Sequence, residues 1–363
     1  MIQLSDLTLR EGDQQPDTDY TVEQKVEVGR LLDRLGVGFV QAGFPITGDV
    51  DSETIRTLAG ELDAEVVGLA RALEGDIEAA ATAEADVVDI IIPSSAHQRP
   101  YVIGGTRQEV LETAIDAVDV ALDYGLEVHL SLMDAFRSDV ETVTEYFEEL
   151  PEVSCITLPD TVGTRTPHSV ESFLESVTEH VDPSRIGAHF HNDLGVATAN
   201  SLSAGAVGVE KVDVSVAAIG ERAGNAPLEE VVIAGSVDGG LEFDIELEEL
   251  IPVCTEILEI LDEPIPGNKP GLGERVFAHE SGLHTAAMLD EPSAFEPFDP
   301  ARFGGKRLLM FGEQTGRGAA RTLLERAGRA PSDALISAFR AELSAQGPVG
   351  TEKALDIAAR LDE

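Results

Sequence analysis

The chain has 363 residues, 43% of them hydrophobic, which excludes an intrinsically disordered protein and suits one large domain with a smaller one. Asp and Glu total 68 against 25 Lys and Arg, and the formal net charge is −43. That sign argues against nucleic acids and anionic membranes as partners.

The excess of acidic residues comes with a scarcity of lysine, because only five of the 25 basic residues are Lys. The hydrophobic pattern is that of an ordinary globular protein, so we expect the acidic residues to coat its surface. Salt screens such repulsion over a few ångströms, which favours a halophile's cytoplasm as the setting. No apolar run of about 18 residues and no basic leader is present, so the sequence predicts a cytoplasmic protein.

Short β-branched runs alternate along the chain with longer amphipathic stretches. Amphipathic segments such as Val22–Leu35 and 110–124 are predicted helices, and Gly36 and Gly125 end them. Eight βα units in about 240 residues predict a closed (β/α)8 TIM barrel rather than an open doubly wound sheet. The predicted strands are residues 2–8, 37–42, 65–69, 87–92, 127–132, 154–158, 185–190 and 212–216.

A Pro- and Gly-rich stretch at residues 262–271 predicts a linker, with a helical segment near 246–261 before it. We therefore expect a catalytic barrel over residues 1–262 and a small helical region over 263–363, with no regulatory domain. The segment 312–318 is rich in glycine but lacks phosphate-loop spacing, so it predicts a turn before a helix at 319–329. Cys155 and Cys254 have no CxxC spacing, which favours buried thiols over a disulfide or metal site.

Polar residues that follow the predicted strands should gather at the C-terminal mouth of the barrel. His189 and His191 are two residues apart on a strand, so both rings face the same side. With Glu11 after the first strand, they could form a site for Mg, Mn, Zn or Fe. The alternative is that these histidines are only packed or polar residues at the end of a strand.

Two further residues carry a functional and a structural interpretation. Arg10 could neutralise an oxygen that gains negative charge beside the metal, or it could form only a surface salt bridge. His284, in the C-terminal region, could act over the barrel mouth as a general acid or base. As a single histidine in a helical region, it could equally be a packing or capping residue.

Several motifs in the same order resemble the acyl-CoA Claisen synthases of the metal-dependent TIM-barrel lyase superfamily. This group contains 2-isopropylmalate, citramalate and homocitrate synthases, and the resemblance covers almost the whole chain. The motifs are DLTLREGDQ at 6–14, GFP at 43–45, LPDTVG at 158–163, HFHNDLG at 189–195, GERAGN at 220–225 and SGLH at 281–284.

The resemblance implies condensation of acetyl-CoA with a 2-oxo acid, followed by hydrolysis of the thioester. It implies that a divalent metal is held by Glu11, His189 and His191, with Asn225 near it. It further implies an acid/base pair of Glu221 and His284, and a homodimer. By the same resemblance, Arg10 polarises the substrate carbonyl, Thr161 holds the substrate carboxylate, and Gln14, His97 and Ser131 complete the substrate site.

Glu11 and the segment 296–300 favour the homocitrate branch, with 2-isopropylmalate and citramalate synthases as alternatives. The sequence departs from the usual pattern at Met133, where the group has Glu, and at His129, where some homocitrate synthases have Arg. Phe295 replaces a common Tyr, and Gln41 replaces a frequent Glu. An acyl-CoA lyase or a non-catalytic metabolite-binding relative stays open, although neither cysteine lies in the glycine-rich loop that carries the lyases' catalytic Cys.

Overall fold

The structure is a computed structural model that describes residues 1–16 and 18–361. The chain divides into two compact units. The first comprises Met1–Glu246 and Val253–Ile265, and the second comprises Leu247–Pro252 and the chain from Pro266 onward. Among the described residues, no helix combines the length and the apolar character that a membrane crossing requires.

The first unit contains a closed barrel of eight parallel strands, arranged in chain order with the last strand paired to the first. Ser5 lies opposite Asp213 where the barrel closes. The predicted TIM barrel is therefore confirmed, and each predicted strand is present with its ends shifted by up to two residues. The strands are β1 (Gln3–Asp6), β2 (Phe39–Gly43), β3 (Glu65–Arg71), β4 (Val87–Pro93), β5 (Glu127–Met133), β6 (Cys155–Asp160), β7 (Ile186–Phe190) and β8 (Lys211–Val214).

Helices follow the strands, and local capping fixes where several of them begin and end. Thr21 and Gln24 form a capping box at the start of α2, and Gly36 ends that helix with a φ of 95°. The helices up to residue 260 are α1 (Thr8–Gly12), α2 (Val22–Leu35), α3 (Asp49–Ala59), α4 (Glu74–Thr82), α5 (Arg99–Val102), α6 (Arg107–Asp123), α7 (Val140–Glu149), α8 (Pro167–Thr178), α9 (Ala197–Val207), α10 (Leu228–Ala234) and α11 (Leu250–Ile260).

The interior of the barrel departs from the branched aliphatic filling that is usual for this fold. Several of its buried side chains are polar or charged, and they come from β2, β4, β5 and β8: Gln41, Asp89, His129, Ser131, Lys211 and Asp213. Buried charges are costly unless they are paired. The concentration of charge below the barrel mouth therefore indicates a functional rather than a purely structural interior.

The second unit contains the expected helices, together with a small three-stranded sheet that the sequence did not predict. Its strands β9 (Ala278–His279) and β11 (Val349–Gly350) have two residues each, which is too short for a detectable alternation. Phe311 of β10 (Leu308–Phe311) packs in a core with residues such as Leu323 and Phe339. The helices of this unit are α12 (Gly282–Met288), α13 (Arg317–Arg326), α14 (Asp333–Gln346) and α15 (Thr351–Arg360).

Candidate active site

Three buried side chains with metal-ligating atoms lie together at the C-terminal mouth of the barrel. Glu11 lies on α1, directly after β1, while His189 is on β7 and His191 follows the end of that strand. One ligand atom from each residue lies within 4.8 Å of the others. The two imidazole ring centroids are 4.9 Å apart. The structure thus brings together the three residues that the sequence singled out.

The hydrogen bonding of these residues fits a divalent cation. Within the described residues, the buried atoms Glu11 Oε2, His191 Nδ1 and Asn225 Oδ1 have no hydrogen-bond partner. Buried polar atoms are seldom left unsatisfied, and carboxylate, imidazole and amide oxygen are donors that divalent metals accept. The Asn225 amide nitrogen donates to the Ile219 carbonyl at 3.3 Å, which leaves its oxygen available.

A buried ion pair lies beneath His189. Nδ1 of His189 is 3.3 Å from Oδ2 of Asp213, and Oδ1 of Asp213 is 3.0 Å from Nζ of Lys211. Burial alone would raise the pKa of Asp213, but Lys211 and His189 outweigh it and lower that pKa. Burial likewise opposes the charge of Lys211, yet Asp213, Cys155 and Asp89 raise its pKa. Sequence reasoning missed this pair, although the i, i+2 spacing on β8 puts both residues on one face.

Arg10 links the triad to the barrel interior. Its guanidinium contacts the Glu11 carboxylate, and its Nη1 also donates to Gln14 Oε1 at 3.2 Å. Its Nε donates to Oε1 of Gln41 at 2.5 Å. Burial would raise the pKa of Glu11, but Arg10 and the two histidines outweigh this and lower it. Glu11 is therefore held as a carboxylate, which is the form that binds a metal.

Asp89 extends the same network across the barrel. Its Oδ2 accepts from Nε2 of Gln41 at 3.0 Å, and its Oδ1 accepts from Oγ of Ser131 at 2.8 Å. Burial raises the pKa of Asp89; Asp213 adds to that shift, whereas Lys211 and Ser131 oppose it. A chain of hydrogen bonds thus joins Arg10 to Asp89. No sequence pattern singles out Asp89, since it stands alone in an apolar run.

A pocket of about 170 Å³ opens above these groups. Of the predicted substrate-binding residues, Arg10, Gln14, Ser131 and Thr161 line it, whereas His97 is exposed and does not. His97 lies in a turn after β4. The other lining residues are Glu11, Leu69, Asp89, Ile91, Met133, Pro159, His189, His191, Asp213 and Glu221.

The loop after β8 carries Glu221 to the pocket. Glu221 has 52% of its side chain exposed and contacts Nη1 of Arg222 at 3.2 Å. Ala217, Ala218 and Arg222 have positive φ angles of 53°, 69° and 58°, which is uncommon for residues with a side chain. Such backbone strain concentrates at functional sites. At Gly224, with φ of 78°, a Cβ would come within 1.7 Å of the Ala218 carbonyl oxygen.

His284 lies on α12 of the second unit. Its ring stacks on Phe295 with centroids 4.1 Å apart and an interplanar angle of 21°. The ring of His279 lies 6.5 Å away. Phe295 thus provides an apolar face for this imidazole.

Fold and site together define a TIM-barrel protein with a two-histidine, one-carboxylate centre suited to a divalent metal. The family model described as HMGL-like matches residues 1–257, and the model described as homocitrate synthase post-HMGL domain-like matches residues 272–347. The crystal structure of HMG-CoA lyase from Bacillus subtilis shares this fold, with a TM-score of 0.64 at 22% identity over 73% of this chain and 95% of that one.

Curated relatives are similar over most of the chain. A probable 2-isopropylmalate synthase from Methanopyrus kandleri is 40% identical over 90% of this chain and 66% of its own length. Homocitrate synthase AksA from the same organism is 37% identical over 94% of this chain and 87% of its own length. (R)-citramalate synthase CimA from Methanocaldococcus jannaschii is 37% identical over 96% of this chain and 72% of its own length. The chain belongs to the HMGL-like family, within its group of 2-isopropylmalate, homocitrate and citramalate synthases.

Proposed function

We propose that this protein condenses acetyl-CoA with a 2-oxo acid and hydrolyses the thioester to give a 2-alkylmalate-type acid and free CoA. The observation that carries the proposal is the buried cluster of Glu11, His189 and His191 with Arg10 in contact with it. The names of the relatives support the same reaction, and all three of them are synthases.

Glu11, His189 and His191 would hold the divalent metal, with Asn225 beside them. When bound, the metal supplies Lewis-acid polarisation of the 2-oxo acid. Arg10 provides a fixed positive charge for the carbonyl oxygen, which becomes an alkoxide as the new carbon–carbon bond forms. Thr161 lines the pocket and would hold the substrate carboxylate, while Gln14 and Ser131 contribute further hydrogen-bonding groups.

The reaction needs a base for the methyl group of acetyl-CoA and an acid for the alkoxide. We assign these proton transfers to Glu221 and His284. Glu221 is exposed at the pocket, as a group that exchanges protons with substrate must be. The stacking of His284 on Phe295 fixes the plane of its ring. Water then attacks the thioester, and the carbon–sulfur bond breaks with release of CoA.

The test is release of free CoA thiol from acetyl-CoA in molar KCl with Mg²⁺ or Mn²⁺. Pyruvate, 2-oxoisovalerate, 2-oxoglutarate, oxaloacetate and glyoxylate are offered in parallel. We expect thiol release that requires one of these acids and that is lost in His284→Ala. Absence of thiol release with all five acids, in a folded and metal-loaded protein, would contradict the proposal and favour a non-catalytic relative. Cleavage of a 3-hydroxyacyl-CoA without added 2-oxo acid would instead identify a lyase.

We further infer a halophilic, cytoplasmic setting and a homodimer. The net charge of −43 supports the first, because dense acidic charge destabilises a compact state unless salt screens it. Transfer from molar KCl to dilute buffer should lower the midpoint of thermal unfolding. An unchanged midpoint would contradict the halophilic setting. Sedimentation in molar KCl tests the homodimer.

A further inference from the structure

The charged groups that line the pocket are mostly acidic. Apart from the metal-binding candidates they are Asp89, Asp213 and Glu221, whereas Arg10 is the one Arg or Lys among the described lining residues. Arg10 already contacts Glu11, Gln14 and Gln41. Under the proposed function, the remaining N–H groups of Arg10 bind the oxygen of the reacting carbonyl.

Neither of the nearest interior groups offers a cation to a second substrate carboxylate. Lys211 is paired with Asp213 at 3.0 Å and does not line the pocket. Asp89 is satisfied by a neutral amide from Gln41 and a neutral hydroxyl from Ser131. As a carboxylate, Asp89 would repel an acidic side chain, and as a neutral acid it would carry no positive charge to attract one.

The remaining lining residues are uncharged: Gln14, Ser131 and Thr161 are polar, and the other four are apolar. Leu69, Ile91, Met133 and Pro159 come from four consecutive strands and face the same pocket. The volume of about 170 Å³ is below the roughly 300–1,000 Å³ of pockets for drug-sized ligands. Burying an unpaired carboxylate against these four apolar side chains is strongly unfavourable, whereas burying methyl groups against them is favourable.

We infer that the 2-oxo acid of this protein has a short, uncharged aliphatic side chain, and that 2-oxo acids with a second carboxylate are rejected. This inference rests on the proposed function for the identity of the pocket. It departs from the homocitrate branch, whose 2-oxo acid is dicarboxylic, and it assigns selectivity to Asp89 and Met133. Because the pocket would leave the second carboxylate unpaired, kcat/KM for a dicarboxylic 2-oxo acid should be at least about 100-fold lower than for an aliphatic one.

Two measurements on the full-length wild-type protein test this inference about the substrate. Calorimetric titration of the Mn²⁺-loaded protein compares pyruvate, 2-oxobutyrate and 2-oxoisovalerate with 2-oxoglutarate and oxaloacetate, without acetyl-CoA. Thiol release gives kcat/KM for the same acids. We expect an aliphatic acid to exceed both dicarboxylates by at least about 100-fold in kcat/KM and to bind more tightly.

Equal or better use of 2-oxoglutarate would overturn the inference, and binding of none of the acids would overturn it together with the proposed function. Tight binding of an aliphatic acid without thiol release would support the inference while contradicting the proposed synthase.

Substitution of Met133 adds a gain-of-function test at the pocket. Met133→Arg places a cation among the lining residues and should reduce the preference for the aliphatic acid at least tenfold. Met133→Leu keeps the lining neutral and serves as the matched control, with the wild-type preference retained. An unchanged preference in Met133→Arg, with folding confirmed by circular dichroism, would show that the missing cation does not set selectivity.

Discussion

Asp213 joins His189 to a buried lysine: one carboxylate oxygen lies 3.3 Å from Nδ1 of His189 and the other 3.0 Å from Nζ of Lys211. The lysine keeps the carboxylate ionised in the barrel interior, as the lowered pKa of Asp213 indicates. An ionised carboxylate on Nδ1 fixes the tautomer and the orientation of the ring. Lys211 thus acts on His189 through Asp213 and is a positioning residue.

Removal of this support should weaken metal binding without abolishing it. For Asp213→Asn and Lys211→Met we expect the affinity for Mn²⁺ or Zn²⁺ to fall by about 10–100-fold, because the ring loses its anchoring acceptor. Competition with a chelator of known affinity measures the change. Lys353→Met, which removes an exposed lysine of α15, is the control. Equal affinity in all four proteins would refute a positioning role for Lys211.

Loss of a ligand itself should have a larger effect. After desalting, His189→Ala should contain less than one divalent metal ion per chain, because only two of the three protein ligands remain. Elemental analysis of the purified protein measures metal per chain. His180→Ala, at an exposed position just after α8, should keep the wild-type stoichiometry. Full metal occupancy in His189→Ala would mean that the cluster of Glu11, His189 and His191 is not the metal centre.

The sequence predicted the barrel and the cluster at its mouth because both depend on regular patterns. Strand periodicity placed His189 and His191 on one face, and the barrel rule brought Glu11 to the same end. Asp89 and Lys211 were not foreseen, because burial of an isolated charge depends on partners from other strands. His97 was assigned by resemblance, and the local turn after β4 exposes it instead. Two-residue strands such as β9 leave no periodic trace at all.

A second buried lysine should govern stability rather than metal binding. Lys25 is fully buried in α2 and forms ion pairs with Asp13 and with Asp51 Oδ1, the latter at 2.5 Å. Oδ2 of Asp51 accepts from the Phe44 amide, so Lys25 ties the loop after Glu11 to the loop after β2. Lys25→Met leaves two carboxylates without their cation.

We expect Lys25→Met to lower the free energy of unfolding by about 3–5 kcal/mol, as measured by urea denaturation in molar KCl. Arg30→Met on the same helix removes an exposed pair with Glu61 and should cost less than about 1 kcal/mol. Similar losses in the two variants would show that burial of the Lys25 cluster does not set its contribution.

Stability should also fall with acid because of His129. Burial and the nearby Lys211 lower the pKa of His129 to about 3, with the ring edge-on to Phe39 at 5.1 Å. In the unfolded chain its pKa is about 6.5, so the unfolded state takes up a proton that the folded state does not. The contribution of His129 to stability is therefore complete above pH 6.5 and is lost as the pH falls towards 3.

The side chain in His129→Gln does not titrate. Because the many carboxylates titrate equally in wild type and variant, the difference between the two proteins gives the pH-dependent contribution of His129 to the free energy of unfolding. Between pH 7.5 and 5.5, the wild type should lose about 1.4 kcal/mol of unfolding free energy relative to His129→Gln. Urea unfolding at the two pH values in molar KCl measures the difference. His180→Gln, which removes an exposed histidine, is measured in parallel as the matched control. A constant difference between wild type and His129→Gln across this range would show that His129 accepts a proton in the folded barrel.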